Sequence, residues 1–140
     1  MKTIERKMIA VQERVLRLRR LAEKLNSFDD YHCSDDAKDV AERNLQIAIE
    51  ACLDIGKIII SREKLPEPKD YKGVFWALAQ AQIIRSETLR FLSDMAGARN
   101  ILVHGYDKID NGLIYGILKR HLDDFDFFLN EIRDNYLLRT

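Results

Sequence analysis

The sequence predicts an all-α fold, an up-and-down helical bundle of four to five helices. Three observations carry this. Apolar residues recur at alternating spacings of three and four over long stretches. No stretch of useful length shows the alternation of a half-buried strand. Both prolines, Pro66 and Pro68, fall in one loop, so they interrupt no helix.

Residues 3–25 read as one long amphipathic helix. Ile4, Met8, Val11, Val15, Leu18, Ala22 and Leu25 form a heptad seam. Ile9, Leu16 and Leu21 widen its apolar surface. The seam spans only three heptads, which fits packing inside a bundle better than an independent coiled coil. Asn26-Ser27 ends this helix, and residues 28–33 are expected to be a short polar turn. Ser34 is a plausible N-cap, with Asp35 and Asp36 placing negative charge at the positive helix end. The next helix is expected over residues 35–62. Val40, Asn44, Ile47, Ala51, Ile55 and Ile58 mark one face, and Leu45, Ala48, Cys52 and Ile59 another. A helix apolar on so much of its circumference is central to its bundle. Asn44 interrupts the apolar row, either as a satisfied buried amide or as a group facing a cleft.

Residues 64–72 form the one long loop. A short helix follows over residues 72–84, with Val74, Phe75, Leu78, Ala81 and Ile84 apolar and Trp76 of undecided role. Ser86 starts another helix, with Leu89, Leu92, Met95 and Ala96. Asp110-Asn111-Gly112 is expected to be a turn. A last helix runs over residues 113–136, with Ile114, Ile117, Leu118, Leu122, Phe125, Phe128, Leu129 and Ile132. His121 shares its apolar side and reads as a partly buried structural histidine. Asp123, Asp124 and Asp126 read as solvated; one helix face does not readily give them a metal's geometry.

The 140 residues suit a single domain with a substantial core, spanning 1–140. Hydrophobic residues make up 46% and charged ones 33%, as in ordinary globular chains. No stretch approaches the roughly 20 apolar residues of a membrane span, and the charged N-terminus lacks a signal core, which together predict a cytoplasmic protein. Cys33 and Cys52 make no paired knuckle, and His32-Cys33 supplies too few ligands for structural zinc. No metal or other cofactor is expected. The net charge of zero argues against a protein that coats nucleic acid, but not against a nuclease with a local basic cleft. Charge is also uneven. Residues 2–24 hold eight basic and three acidic side chains, residues 29–42 one basic and six acidic. That asymmetry favours helix pairing or a binding face on the first helix.

The chemistry concentrates in Arg99-Asn100-Ile101-Leu102-Val103-His104-Gly105-Tyr106. Arg99 is a permanent cation whose fork suits phosphate. His104 exchanges protons near neutrality, with an unperturbed pKa of about 6.5. Tyr106 brings a phenolic hydroxyl, and Asn100 a neutral amide beside the arginine. The bland reading is a helix C-terminus favoured by the helix dipole.

The pattern Arg-x4-His-x-Tyr, as Arg99…His104-Gly105-Tyr106, resembles the signature of HepT-like toxins within the HEPN superfamily. The resemblance extends over most of the chain, in size, in helical pattern and in the Tyr71…Phe75…Leu78 approach to the motif. It implies an all-helical homodimer with two motifs facing across a cleft, and a cognate minimal nucleotidyltransferase antitoxin as partner. It also implies that the partner transfers AMP to Tyr106, blocking the anion site.

On RNA the motif would serve a metal-independent endoribonuclease, because the ribose 2′-hydroxyl is a built-in nucleophile. His104 suits the proton transfers, Arg99 the developing phosphorane charge, and Asn100 the orientation of phosphate or ribose. Five positions turn an ideal helix through about 500°, so Arg99 and His104 point roughly 140° apart. One histidine for two proton roles is sparse, and a second copy of the chain would supply the other. The alternative is a non-catalytic helical module that pairs with a nucleotidyltransferase or binds nucleotide phosphate. No Walker loop, dinucleotide fingerprint or activated serine or cysteine nucleophile is present. The chain also lacks the Gly-Ser and paired-aspartate pattern of a nucleotidyltransferase.

Overall fold

The heptad seam of the first helix finds its partner in the third. In the computed structural model, which describes residues 2–105 and 109–139, α1 (Lys2–Lys24) packs most extensively on α3 (Asp35–Glu63). Lys7 Nζ reaches Asp54 Oδ2 at 3.0 Å and Arg14 Nη1 reaches Asn44 Oδ1 at 3.2 Å. The two contacts run in opposite directions along the chain, so the helices are antiparallel. Ile4, Val11, Val15 and Leu18 are buried, while Ile9 and Leu16 remain exposed. Asn44 is therefore a buried amide and not a cleft group. Its Nδ2 donates to Val40 O at 2.8 Å and its Oδ1 accepts from Arg14.

Helix α3 is the central element, in contact with α1, α2, α4, α5 and α6. Ser34 caps it, accepting from Ala37 N at 3.1 Å. Cys52 is fully buried, and burial pushes its thiol pKa up. Val40, expected on an apolar face, is exposed, while its neighbours Ala41, Leu45 and Ala48 are buried. At its C-terminus Lys64 takes the left-handed conformation (φ 55°), and Leu65 N donates to Ile60 O at 3.0 Å. This is a Schellman stop made without glycine.

Helix α4 (Tyr71–Gln80) is capped by Asp70, whose carboxylate accepts from Gly73 N at 2.7 Å. It ends four residues earlier than its periodicity predicts. Gln82 adopts φ 61°, and Ile83 N and Gln82 N return to Leu78 O and Ala79 O. Ile83 and Ile84 are still buried, but as a connection. Helix α4 crosses α3 at Gly56, where a Cβ would stand 2.5 Å from Val74 Cγ1.

Four expectations fail in the remaining elements. Residues 28–33 are not a polar turn: Phe28–His32 forms a short helix, α2, capped by Ser27, with Tyr31 fully buried. Five residues are too few for a periodic signal, and burial of Tyr31 against Tyr115 holds the turn in place. Asp110-Asn111-Gly112 is not a free turn either. Asp110 accepts from Leu113 N at 3.1 Å, and Asn111 and Gly112 begin α6 (Asn111–Arg120).

The last helix is broken at His121, which separates α6 from α7 (Leu122–Asn135). The break lets α6 pack on α2 while α7 packs on α5, and both reach α1. His121 is correspondingly an exposed residue at the break and not a buried one. Its Nδ1 lies 3.1 Å from Asp124 Oδ2, and its ring lies beside Phe91. Arg19 of α1 binds Asp123 at 2.8 Å and also Asp126, tying α7 to α1. A 3-10 turn over Leu137–Arg139 completes the seven α-helices of the described residues, which pack around one hydrophobic core. No described helix is long and apolar enough to cross a membrane.

Candidate active site

Helix α5 (Ser86–His104) carries the motif, and its ends are held differently. No side chain of its own caps the start. Instead the nearly buried Glu131 of α7 accepts from Arg85 N at 2.6 Å and from the Thr88 hydroxyl. A carboxylate at a helix N-terminus satisfies free N–H groups and complements the dipole. Along α5, Leu92, Met95, Ala96, Ala98 and Leu102 face the core. That leaves Arg99, Asn100 and His104 on the flanks and the outer face. The helix closes at Gly105, whose N–H donates to Ile101 O at 2.8 Å.

Arg99 turns inward, with only 17% of its side chain exposed. Its Nε lies 3.2 Å from Glu50 Oε1 of α3, which also accepts from Gln46 at 3.1 Å. The guanidinium sits 4.7 Å from the ring centroid of Tyr71, the first residue of α4. Lys57 Nζ approaches the same ring at 5.3 Å. A planar guanidinium held by one carboxylate and one aromatic face is oriented before any ligand arrives. Glu50 engages Nε, and neither Nη group makes a hydrogen bond among the described residues.

His104 is exposed in the last turn of α5 and makes no hydrogen bond or ion pair among the described residues. Within one chain the structure does not pair it with Arg99, in keeping with their divergent directions around the helix. Asn100 is exposed and lines an open cleft of about 1150 Å³ between the end of α3, the connection to α4, and α5. Tyr106 lies outside the described residues.

Glu50 and the lysines of this cleft were not legible as site residues. Glu50 is forty-nine positions from Arg99, and no local pattern marks such a pair. The one available signal was compositional, the four lysines Lys57, Lys64, Lys69 and Lys72 around the double-proline loop. Among the described residues no group of three His, Cys, Asp or Glu side chains converges. His32, the other histidine of interest, stacks on Phe28 and meets Asn111 at 3.2 Å. Cys33 beside it is exposed and unpaired.

Comparison with known proteins bears on this geometry. A family model described as "Ribonuclease HepT-like" matches residues 11–132. The chain is 34% identical over 90 residues to an mRNA nuclease HepT of Shewanella oneidensis, covering 64% of this chain and 68% of that one. It is 32% identical over 114 residues to a tRNA nuclease HepT of Aphanizomenon flos-aquae, covering 80% and 76%. Among solved structures, it superposes on the tri-AMPylated Shewanella oneidensis HEPN toxin, which is in complex with an MNT antitoxin. The TM-score is 0.86, at 26% identity, over 95% of this chain and 98% of that one.

Proposed function

The chain belongs to the ribonuclease HepT-like family, and on that premise we propose that Arg99 and His104 form the catalytic pair of a metal-independent endoribonuclease. The enzyme is a ribonuclease of toxin–antitoxin type; its site, chemistry and silencing are the substance of the proposal. The observation that carries it is the contrast within one helix. Arg99 is clamped by Glu50 and Tyr71 beside a cleft, while His104 stands exposed at the helix end.

A clamped cation loses little entropy when it meets a phosphate and stabilises charge that develops there. An exposed imidazole moves protons. The 2′-oxygen attacks the adjacent phosphorus as one His104 removes its proton. The bond from phosphorus to the 5′-oxygen breaks, and a protonated imidazole delivers a proton to that oxygen. The products are a 2′,3′-cyclic phosphate and a free 5′-hydroxyl. Arg99 faces the phosphorane oxygens, and Asn100 orients the ribose or phosphate.

The two proton roles fall to two copies of His104, so the working unit is a homodimer with the motifs across one cleft. A minimal nucleotidyltransferase antitoxin serves as the partner. It silences the enzyme by placing AMP on Tyr106, seven residues from Arg99, where the added phosphates compete for the arginine.

The test is cleavage of RNA by purified, unmodified protein, its mass checked for AMP. Cleavage is expected to persist in EDTA and to leave cyclic phosphate ends. It should be abolished in His104→Ala and fall by about 10²–10³ in Arg99→Lys, which keeps the charge but loses the fork. Both variants should melt with the parent. Absence of cleavage by unmodified protein would overturn the catalytic assignment in favour of a helical module that only holds nucleotide phosphate.

A further inference from the structure

The cleft beside Arg99 is larger than the motif needs. Its volume of about 1150 Å³ exceeds the roughly 300–1,000 Å³ of an ordinary small-molecule site, and it opens to solvent. Among the described residues Lys57, Lys64, Lys69 and Lys72 line it, against two acids, Glu67 and Asp70. Asp70 is occupied in capping α4. In a chain of zero net charge, this is a local excess of cations. All four lysines are exposed.

We propose that this lysine-lined cleft binds the sugar–phosphate backbone of the RNA strand that flanks the cut, as a site separate from the Arg99–His104 pair. The proposal rests on the nuclease reading above. Flexible lysines spaced along a groove act as point charges for phosphates, without the planar recognition that arginine gives. Among the described residues Tyr71 is the one aromatic of the cleft, and its ring already carries Arg99 and Lys57, so it offers no free platform for a base. The cleft therefore reads backbone and not sequence. Tyr71 also joins the cleft to the reacting site: a strand seated on the lysines passes directly beside the clamped guanidinium, and Asn100 lies on the shared wall. A protein partner fits less well, because protein hot spots centre on exposed Trp, Tyr or Arg in an apolar surround, and the cleft rim is lysine, glutamate and proline.

The experiment replaces Lys64, Lys69 and Lys72 together by glutamine. Lys57 is spared because it touches the ring that holds Arg99. Binding of a labelled single-stranded oligoribonucleotide is measured against salt in the His104→Ala background, where the RNA stays intact. Three lost phosphate contacts should flatten the log–log salt dependence by about two, at roughly 0.7 per contact on single strands. The loss should be equal for unrelated sequences. With His104 intact, KM for RNA should rise while kcat holds.

A control with Arg6, Arg17 and Arg20 of α1 changed to glutamine removes equal charge from exposed positions elsewhere. Equal loss in cleft variant and control, or no loss in either, would overturn the proposal and leave the nuclease standing. Lost association with the nucleotidyltransferase and unchanged RNA binding would also overturn it, making the cleft a protein-docking surface. A wild type that binds RNA through the lysines but cuts none would sustain the cleft and sink the catalytic reading.

Discussion

At the scale of single residues, polar groups in the core set the terms. Asn44 is buried, with both its amide nitrogen and its amide oxygen hydrogen-bonded, and it ties α1 to α3. Tyr31 is buried just as deeply, but its hydroxyl finds no hydrogen-bond partner among the described residues. Burial, and then the nearby negative charge of Glu42, push its pKa well above the ordinary tyrosine value. Below pH of about 10 the phenol is neutral in both folded and unfolded chains. As pH rises further, the unfolded chain ionises while the buried phenol resists. Stability is thus complete below that pH and lost above it, by about 1.4 kcal/mol per pH unit from this group. Tyr31→Phe should raise stability at pH 7 by about 1 kcal/mol, by removing a buried unpaired hydroxyl. It should also flatten the alkaline decline. Urea melts of both proteins at pH 7 and above pH 10 check this, and parallel pH curves for the two would refute it.

At the scale of elements, the position of the candidate site depends on how α4 and α5 lie on α3. Tyr71 reaches Arg99 only because α4 begins where it does, after the Asp70 cap. The approach of α4 to α3 is set at Gly56, which faces Val74 and Leu78. A methyl group there would overpack the crossing, at a cost of about 1–3 kcal/mol. Gly56→Ala should therefore lower the thermal midpoint. Because it displaces α4 and with it Tyr71, it should also lower cleavage more than Gly97→Ala, where an added Cβ meets nothing within 4 Å. Circular dichroism melts beside an RNA cleavage assay make the comparison; equal effects of the two substitutions would disconnect the crossing from the site.

At the scale of the whole molecule, one chain displays one exposed motif histidine, and the proposed chemistry uses two. If the working unit is a homodimer, specific activity should fall on dilution, with a midpoint equal to the dimer Kd from sedimentation. Activity per chain that stays constant through monomerisation would mean that one copy suffices. Ile101, on the motif helix between Arg99 and His104, is an exposed apolar side chain, and Ile101→Lys should raise that dimer Kd if α5 forms the contact.

Sequence alone determined the helical class, the buried seam of α1, the central role of α3, the Ser34 cap and the location of Arg99, Asn100 and His104 near the end of α5. Each follows from relations within a turn or two of helix, where periodicity and capping act. Tertiary structure alone decided the rest. Helix α2 and the break at His121 exist because Tyr31, Ile114 and Phe125 each find separate places in the core. Helix α4 stops at left-handed Gln82, where no glycine announces an end. The clamp of Glu50 and Tyr71 on Arg99, and the gathering of lysines beside it, join side chains from three helices and a loop. Such pairings are set by packing between distant segments, and local pattern carries no trace of them.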